Sequence, residues 1–241
     1  MANDPATLPD NEALFSRLSL LATATLSVQL RRHGFGSTVL GGLTALRPDL
    51  RLLGRARTLR YLPAREDASA ARGMGVQRAT LETLGPNDVL VIDARGDTSV
   101  GTIGDISVQR AAKLGIAGIV TDGALRDSAV IAALDLPVYF SGLNPSQPSR
   151  NHVPWEADVA VACGGVLVEP GDLLVGDADG VLVIPPAVAE EVVVDTEDQE
   201  REERFVSARV AEGESLDGLF PMGPRWRALY EEWRAANPDA P

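Results

Sequence analysis

Residues 101–127 run GTIGDISVQRAAKLGIAGIVTDGALRD. Gly101 and Gly104 bound a turn that carries Asp105, which stands where a helix N-cap would. Ile106, Gln109, Arg110 and Lys113 interleave with Val108, Ala111, Ala112 and Leu114. That amphipathic spacing predicts a helix, and Gly115 supplies the left-handed residue that closes one. Ile116 to Thr121 is a short apolar run without alternation, as expected of a strand covered on both faces. Asp122-Gly123 then turns the chain toward Arg126 and Asp127. The connection delivers Asp105, Arg126 and Asp127 to the ends of rigid elements.

Upstream, Val89–Asp93 reads as a buried strand after a Gly85–Asp88 turn, and Ala56–Leu62 as an alternating strand ended by Pro63. Between them, Ala64–Val76 is a small-residue loop or loose helix, a candidate mobile loop near a site, and Arg78–Leu84 is helical. Leu14, Phe15, Leu18, Leu21, Leu26 and Leu30 mark one or two helices jointed between Ser19 and Thr25 and stopped at Gly34. Downstream lie a short helix at Ser128–Leu134, a strand at Pro137–Phe140 and a polar loop at Ser141–Pro154. Four strand-like runs come next: Ala157–Cys163, Val166–Glu169, Leu173–Gly176 and Val181–Ile184, with turns at Gly171-Asp172 and Asp179-Gly180.

Pro185-Pro186 opens a long polar helix, Ala187–Glu212, ended by Gly213. Its centre, Asp195–Arg204, is almost wholly charged, so it is expected to pack by one edge, against another subunit. A last helix, Arg225–Ala236, carries Trp226, Leu229, Tyr230 and Trp233 on one docking stripe. The organisation expected is a lead-in at 1–13, one α/β domain at 14–186 and a helical extension at 187–241.

Composition narrows the function. A formal charge of −12 repels a nucleic-acid backbone over most of the surface, although Arg47, Arg51, Arg55, Arg57 and Arg60 form a local basic run. That run is either a solvated edge or an attractor of anionic substrate. A single cysteine, Cys163, excludes an intrachain disulfide, and with only His33 and His152 there is no cluster of zinc spacing, so any metal is expected to take oxygen ligands. No apolar run approaches about 18 residues, and no basic-then-apolar leader opens the chain, which predicts a cytoplasmic protein without a membrane partner. Nucleophile-elbow, phosphate-loop, dinucleotide and H-E-x-x-H motifs are absent. Gly176–Gly180 superficially resembles a calcium loop but lacks its closing glutamate and reads better as a hairpin turn.

Asp105, Arg126 and Asp127 admit two readings. In one they are an N-cap and turn charges paired in water. In the other, backbone N–H groups after Gly101 and Gly104 receive an anionic group, Arg126 adds a cationic fork, and an aspartate holds a hard cation largely through water.

Asp105 followed after twenty residues by Arg126-Asp127, set in GTIGD and VTDGALRD, resembles the family of regulator-of-ribonuclease-E-activity-like proteins and 4-hydroxy-4-methyl-2-oxoglutarate/4-carboxy-4-hydroxy-2-oxoadipate aldolases. LATATLSVQL, the run from Cys163 to Pro185 and REERFVSARVAEG extend the similarity from about Leu14 to Phe220. The resemblance implies a swivelling β/β/α fold with N-terminal helices, assembled as a homotrimer or dimer of trimers with sites between subunits. It implies a lyase that releases pyruvate from a small 2-oxo acid, by retro-aldol cleavage or oxaloacetate decarboxylation, or else a ribonuclease-binding regulator. Asp127 would then ligate Mg²⁺ or Mn²⁺, and Arg126 would contact the 2-oxo acid and stabilise its enolate. Asp105 would hold the metal's water for proton transfer. Backbone groups of Gly101, Thr102, Ile103 and Gly104 would grip the substrate carboxylate, and Glu203, or else Glu202, would arrive from a neighbouring subunit. Val28 departs from the family's pattern, where an aspartate commonly follows T-A-x-x-S.

Overall fold

The computed structural model describes residues 12–147 and 151–237, so the expected lead-in, apart from its last two residues, lies outside the described residues. The spine is strand β2 (Leu52–Pro63) in a sheet of eight strands. Along one edge β2 runs parallel to β3 (Asp88–Asp93), which pairs in parallel with β5 (Gly118–Thr121), then β7 (Val138–Phe140). A two-residue strand β1 (Thr44–Ala45) closes that edge. The other edge of β2 is shared: its first residues pair antiparallel with β12 (Leu173–Asp177), its last with β9 (His152–Ala157). β12 and β13 (Gly180–Ile184) form a hairpin, so the last two strand runs join the same sheet as the βαβ units.

The apolar runs become strands because both faces are covered. Leu90, Ile92 and Ile119 face a cluster with Leu81, Val108, Ala111 and Ile131, contributed by α4 (Gly75–Glu82), α5 (Asp105–Leu114) and α6 (Ser128–Ala132). Val89, Val91 and Val120 face the other way, toward Cys163, Val166 and Val168 of the hairpin β10 (Val161–Cys163) and β11 (Val166–Val168). Helices α1 (Glu12–Leu18) and α2 (Thr23–Arg32) cover β12 and β13 through Leu18, Leu26 and Leu30, each fully buried. Each such side chain contributes roughly 1.5–3 kcal/mol.

Several boundaries differ from the sequence expectation. Ala64–Val76 contains a helix of its own, α3 (Glu66–Arg72). The loop expected through Pro154 is already strand at His152; Pro154 lacks an N–H but sits on β9, whose only strand partner among the described residues is β2, opposite Tyr61 where the register shifts. Asp177 ends β12, and the turn to Gly180 is a hairpin. The Asp177 carboxylate accepts from Thr23 N–H at 3.0 Å and Thr23 Oγ1 at 2.7 Å, capping α2 from a distant part of the chain. The arginine run is engaged by the chain itself: Arg47 pairs with Asp49, Arg51 with Asp177, Arg57 with Asp158 and Asp88, and Arg60 with Glu156, while Arg55 lies over the Phe15 ring; the Nε atoms of Arg51 and Arg55 are buried and make no hydrogen bond among the described residues.

The long polar helix is α7 (Ala189–Ala211), entered through a 3-10 turn at Pro186–Val188. Its charged middle meets the chain's own N-terminal helices, with Arg17 on Glu197 at 2.7 Å, His33 on Asp195 at 2.7 Å and Gln29 on Gln199. Helix α8 (Pro224–Ala236) folds back so that Trp226, Tyr230 and Trp233 surround Phe205 of α7. Leu229 points elsewhere and is 39% exposed.

Candidate functional site

Gly101–Ile103, expected as a turn, is a strand, β4, in a second, three-stranded parallel sheet with β6 (Ala124–Leu125) and β8 (Gly142–Leu143). Parallel strands end side by side, and this register puts Ile103 opposite Leu125. The residues just past the two strands therefore meet at one carboxyl end: Gly104-Asp105 after β4 and Arg126-Asp127 after β6. Arg126 N–H donates to Ile103 C=O at 3.0 Å and locks the two ends together. Buried Ile103 and Leu125 anchor the strands below. Asp122 ties the sheet edge above, accepting from Ala94 N–H at 2.6 Å and Gly96 N–H at 2.9 Å.

Gly101 is required here by proximity, and Gly104 lies close against Asp127. A Cβ on Gly101 would collide with Cγ and Cδ of Arg126 and lie 2.9 Å from the Asn144 carbonyl oxygen, so the arginine stem lies directly across this residue. A Cβ on Gly104 would lie 3.1 Å from Asp127 Oδ2. Gly104, not Asp105, is the N-cap of α5, and no side chain caps that helix. Asp105 is its first residue, with Oδ1 accepting from Ile106 N–H at 2.8 Å and Oδ2 from Gln109 at 3.4 Å. Gly115 closes the helix in the left-handed conformation, as expected.

Asp127 stands at the N-cap position of α6, yet its carboxylate makes no capping bond. Its backbone is left-handed, φ 57° and ψ 34°, a conformation that costs a non-glycine residue of order 1–3 kcal/mol. Among the described residues its carboxylate neither caps nor pairs, which leaves both oxygens open to a ligand. Arg126 is half-buried, its Nε is buried without a hydrogen-bond partner, and it forms no ion pair among the described residues. A buried, unpaired cationic donor is costly unless an anion completes it.

These groups line a cavity of about 440 Å³ with Thr102, Ile103, Ile106, Ser107 and, from α4, Met74, Gln77 and Arg78. Gln147 completes the lining. Buried Gln77 donates to Thr102 C=O at 3.4 Å, joined there by Tyr61 Oη at 3.5 Å. That bond pins α4 to β4. The α4 residues were not singled out from the sequence, because a helix face carrying one glutamine and one arginine resembles any solvated surface.

Glu203 is not brought to this cavity within the protomer. It lies on α7, accepts from Gln199 at 2.7 Å, and lines a different hollow of about 850 Å³ between α2, α7 and α8. Glu202 is held by Arg227. Although larger, that hollow has charges that already satisfy each other, with His33 on Asp195, Arg227 on Glu202 and Arg234 on Asp198. Val28 lies on α2, 40% exposed and outside the lining of the smaller cavity.

The lining holds no histidine or cysteine; its carboxylates are Asp105 and Asp127, and of the two Asp127 has no local side-chain bond among the described residues. No group of three histidine, cysteine or acidic side chains is assembled for a metal among the described residues. This set fits a hard divalent cation held by Asp127 and otherwise by water, and fits zinc or a soft metal poorly.

Fold and site together define a mixed α/β protein with a cavity at the carboxyl ends of parallel strands that brings Asp105, Arg126 and Asp127 together. The sequence profile of the RraA-like family, described as Aldolase/RraA, matches residues 23–183, and the chain belongs to that family. A Halalkalibacterium halodurans protein provisionally named a 4-hydroxy-4-methyl-2-oxoglutarate aldolase is 36% identical over 185 residues, 72% of this chain and 84% of that one. Among solved structures, Streptomyces coelicolor RraAS2, described as an unusual member of the RNase ES inhibitor RraA family, superposes with a TM-score of 0.75 at 40% identity. It covers 82% of this chain and 96% of its own. An uncharacterised Pseudomonas syringae protein gives 0.77 at 25% identity, covering 88% and 98%. The expected swivelling β/β/α fold is thus the fold observed. No single helix among the described residues is long and apolar enough to cross a membrane.

Proposed function

We propose that this protein is a divalent-metal-dependent lyase that releases pyruvate from a small 2-oxo acid, by retro-aldol cleavage of a 4-hydroxy-4-methyl-2-oxoglutarate-like substrate, by oxaloacetate decarboxylation, or both. The observation that carries the reading is Arg126, with its buried unpartnered Nε, beside an Asp127 carboxylate that leaves its own helix uncapped. The aldolase named in Halalkalibacterium supports the same class.

In retro-aldol cleavage the 4-hydroxyl loses its proton, the C3–C4 bond breaks, and the electron pair moves through C3 toward the 2-oxo oxygen. C3 then takes a proton. Asp127 would hold Mg²⁺ or Mn²⁺, which supplies Lewis acidity at the 2-oxo group. The Arg126 guanidinium, pinned across Gly101, meets the charge that develops on that oxygen. The first turn of α5, apart from the Ile106 N–H already taken by Asp105, and the backbone of residues 101–104 receive the substrate carboxylate. Asp105, anchored by Ile106 N–H, holds a water for the proton step. Lys113, the chain's only lysine, sits in the last turn of α5, eight residues and about 12 Å along the helix from Asp105, which disfavours an imine route.

The proposal extends to the assembly. In a homotrimer or dimer of trimers, Glu203 of a second copy reaches this cavity, carried by the 187–241 extension, whose α7 also packs on its own N-terminal helices. Ile106 at the cavity is 78% exposed, and Val130 and Leu143 on adjoining elements are 47% and 59% exposed, apolar area that a neighbour would cover.

Pyruvate release from oxaloacetate and from 4-hydroxy-4-methyl-2-oxoglutarate, with Mg²⁺ and with chelator, tests the reading. Turnover of either acid that disappears in chelator is expected; no turnover of both would defeat it. A ribonuclease-binding regulator is the second reading, favoured by the RNase ES inhibitor family to which the Streptomyces neighbour is assigned, and co-elution with a ribonuclease would support it.

A further inference from the structure

Arg78 carries an inference that rests on the proposed reaction and sharpens its substrate. It is the second guanidinium lining the 440 Å³ cavity, contributed by α4 rather than by the strand ends. Arg78 is exposed, so its guanidinium is open to a ligand entering the cavity. Its natural partner, Glu82, stands one helical turn away, where such pairs form readily. Glu82 is instead taken by Arg110 of α5, with contacts from 2.5 to 3.2 Å. Arg78 therefore has no ion pair among the described residues, and the neighbouring Gln77 bond to Thr102 fixes its turn of α4 against the cavity.

Among the described residues, the formal charges lining the cavity are Arg78, Arg126, Asp105 and Asp127, which cancel. A divalent cation on Asp127 makes the total +2, the complement of a dianion. One carboxylate and the 2-oxo group occupy the Arg126 end, and a second carboxylate requires a second cationic fork on another wall. We infer that Arg78 is a specificity-determining residue that binds the distal carboxylate of a dicarboxylic 2-oxo acid, while Arg126 serves the 2-oxo end common to all substrates. Arginine suits this role because its planar fork matches a carboxylate in two parallel bonds.

The test is calorimetric binding, with Mg²⁺ present, of 2-oxobutyrate and 2-oxoglutarate, which share the 2-oxo end and differ in the second carboxylate. Wild type is expected to favour 2-oxoglutarate by about 10- to 100-fold. Arg78→Gln should erase that preference by weakening the diacid alone, whereas Arg126→Gln weakens both. In turnover, Arg78→Gln should raise KM for oxaloacetate with kcat changed less than about threefold. A retained preference in Arg78→Gln, or equal weakening of both acids by it, overturns the assignment. Wild type that binds neither acid overturns the assignment together with the lyase reading. Discriminating binding without any pyruvate release leaves Arg78 as the distal contact and removes only the lyase.

Discussion

Gly101→Ala places a methyl group where Cγ and Cδ of Arg126 now lie, with the Asn144 carbonyl oxygen 2.9 Å away on another side. The obstacle is the middle of the arginine stem and a backbone oxygen, so the head cannot simply swing aside. Displacing a preorganised charge from the developing oxyanion costs about 10²–10³ in rate, and that is the loss expected in kcat/KM for pyruvate release. Overpacking of this kind destabilises by about 1–3 kcal/mol, or roughly 2–12 °C in Tm for a chain this long. The decisive assay is a double-mutant cycle with Arg126→Ala, following pyruvate release and urea unfolding. Without the stem, the two closest obstacles to the added methyl group are gone, so the double variant should be no slower than Arg126→Ala and should lose less stability than the two singles combined. Additive losses in both rate and stability, or near-wild-type activity in Gly101→Ala, would refute the placement of Arg126 across Gly101.

Burial pushes the carboxyl of Asp172, 8% exposed, up to about 6, against a hydrogen bond from Glu169 N–H that acts the other way. A raised carboxyl favours the folded state below about pH 4, and that contribution is lost as pH rises through 6. Asp172→Asn should therefore gain about 2–3 kcal/mol on wild type between pH 4 and pH 7.5 in urea unfolding; an unchanged difference would contradict the burial account. Phe205→Ala should cost about 3–5 kcal/mol in urea unfolding and speed proteolytic release of α8, because three aromatic rings of α8 close on that one side chain. Intact α8 in the variant would show that other contacts hold it.

The βαβ core was readable because Val89–Asp93 and Ile116–Thr121 are apolar on both faces, which few structures other than covered parallel strands allow. The charged trio was readable because charges at the ends of rigid elements are spaced by the elements themselves. Gly101–Ile103 was read as a turn since two glycines usually signal one; here one glycine makes room for the Arg126 stem and the other lies against the Asp127 carboxylate. Strand β9 was hidden by Pro154, which an edge position tolerates. The arginine run was ambiguous until its partners, Asp88, Asp158, Glu156 and Asp177, were brought from distant segments. Arg78 left no local trace, since its significance lies in Glu82 being taken by Arg110 across a helix–helix contact.

The central claim is that Asp127, released from capping α6, holds the cation on which pyruvate release depends. Its most direct test is the rate of pyruvate formation from oxaloacetate across a Mn²⁺ titration in wild type and Asp127→Ala. Saturable dependence on Mn²⁺ in wild type, with at least about a 100-fold loss in the variant, is the predicted result. Equal rates in the two proteins, or full wild-type turnover in chelator, would contradict it.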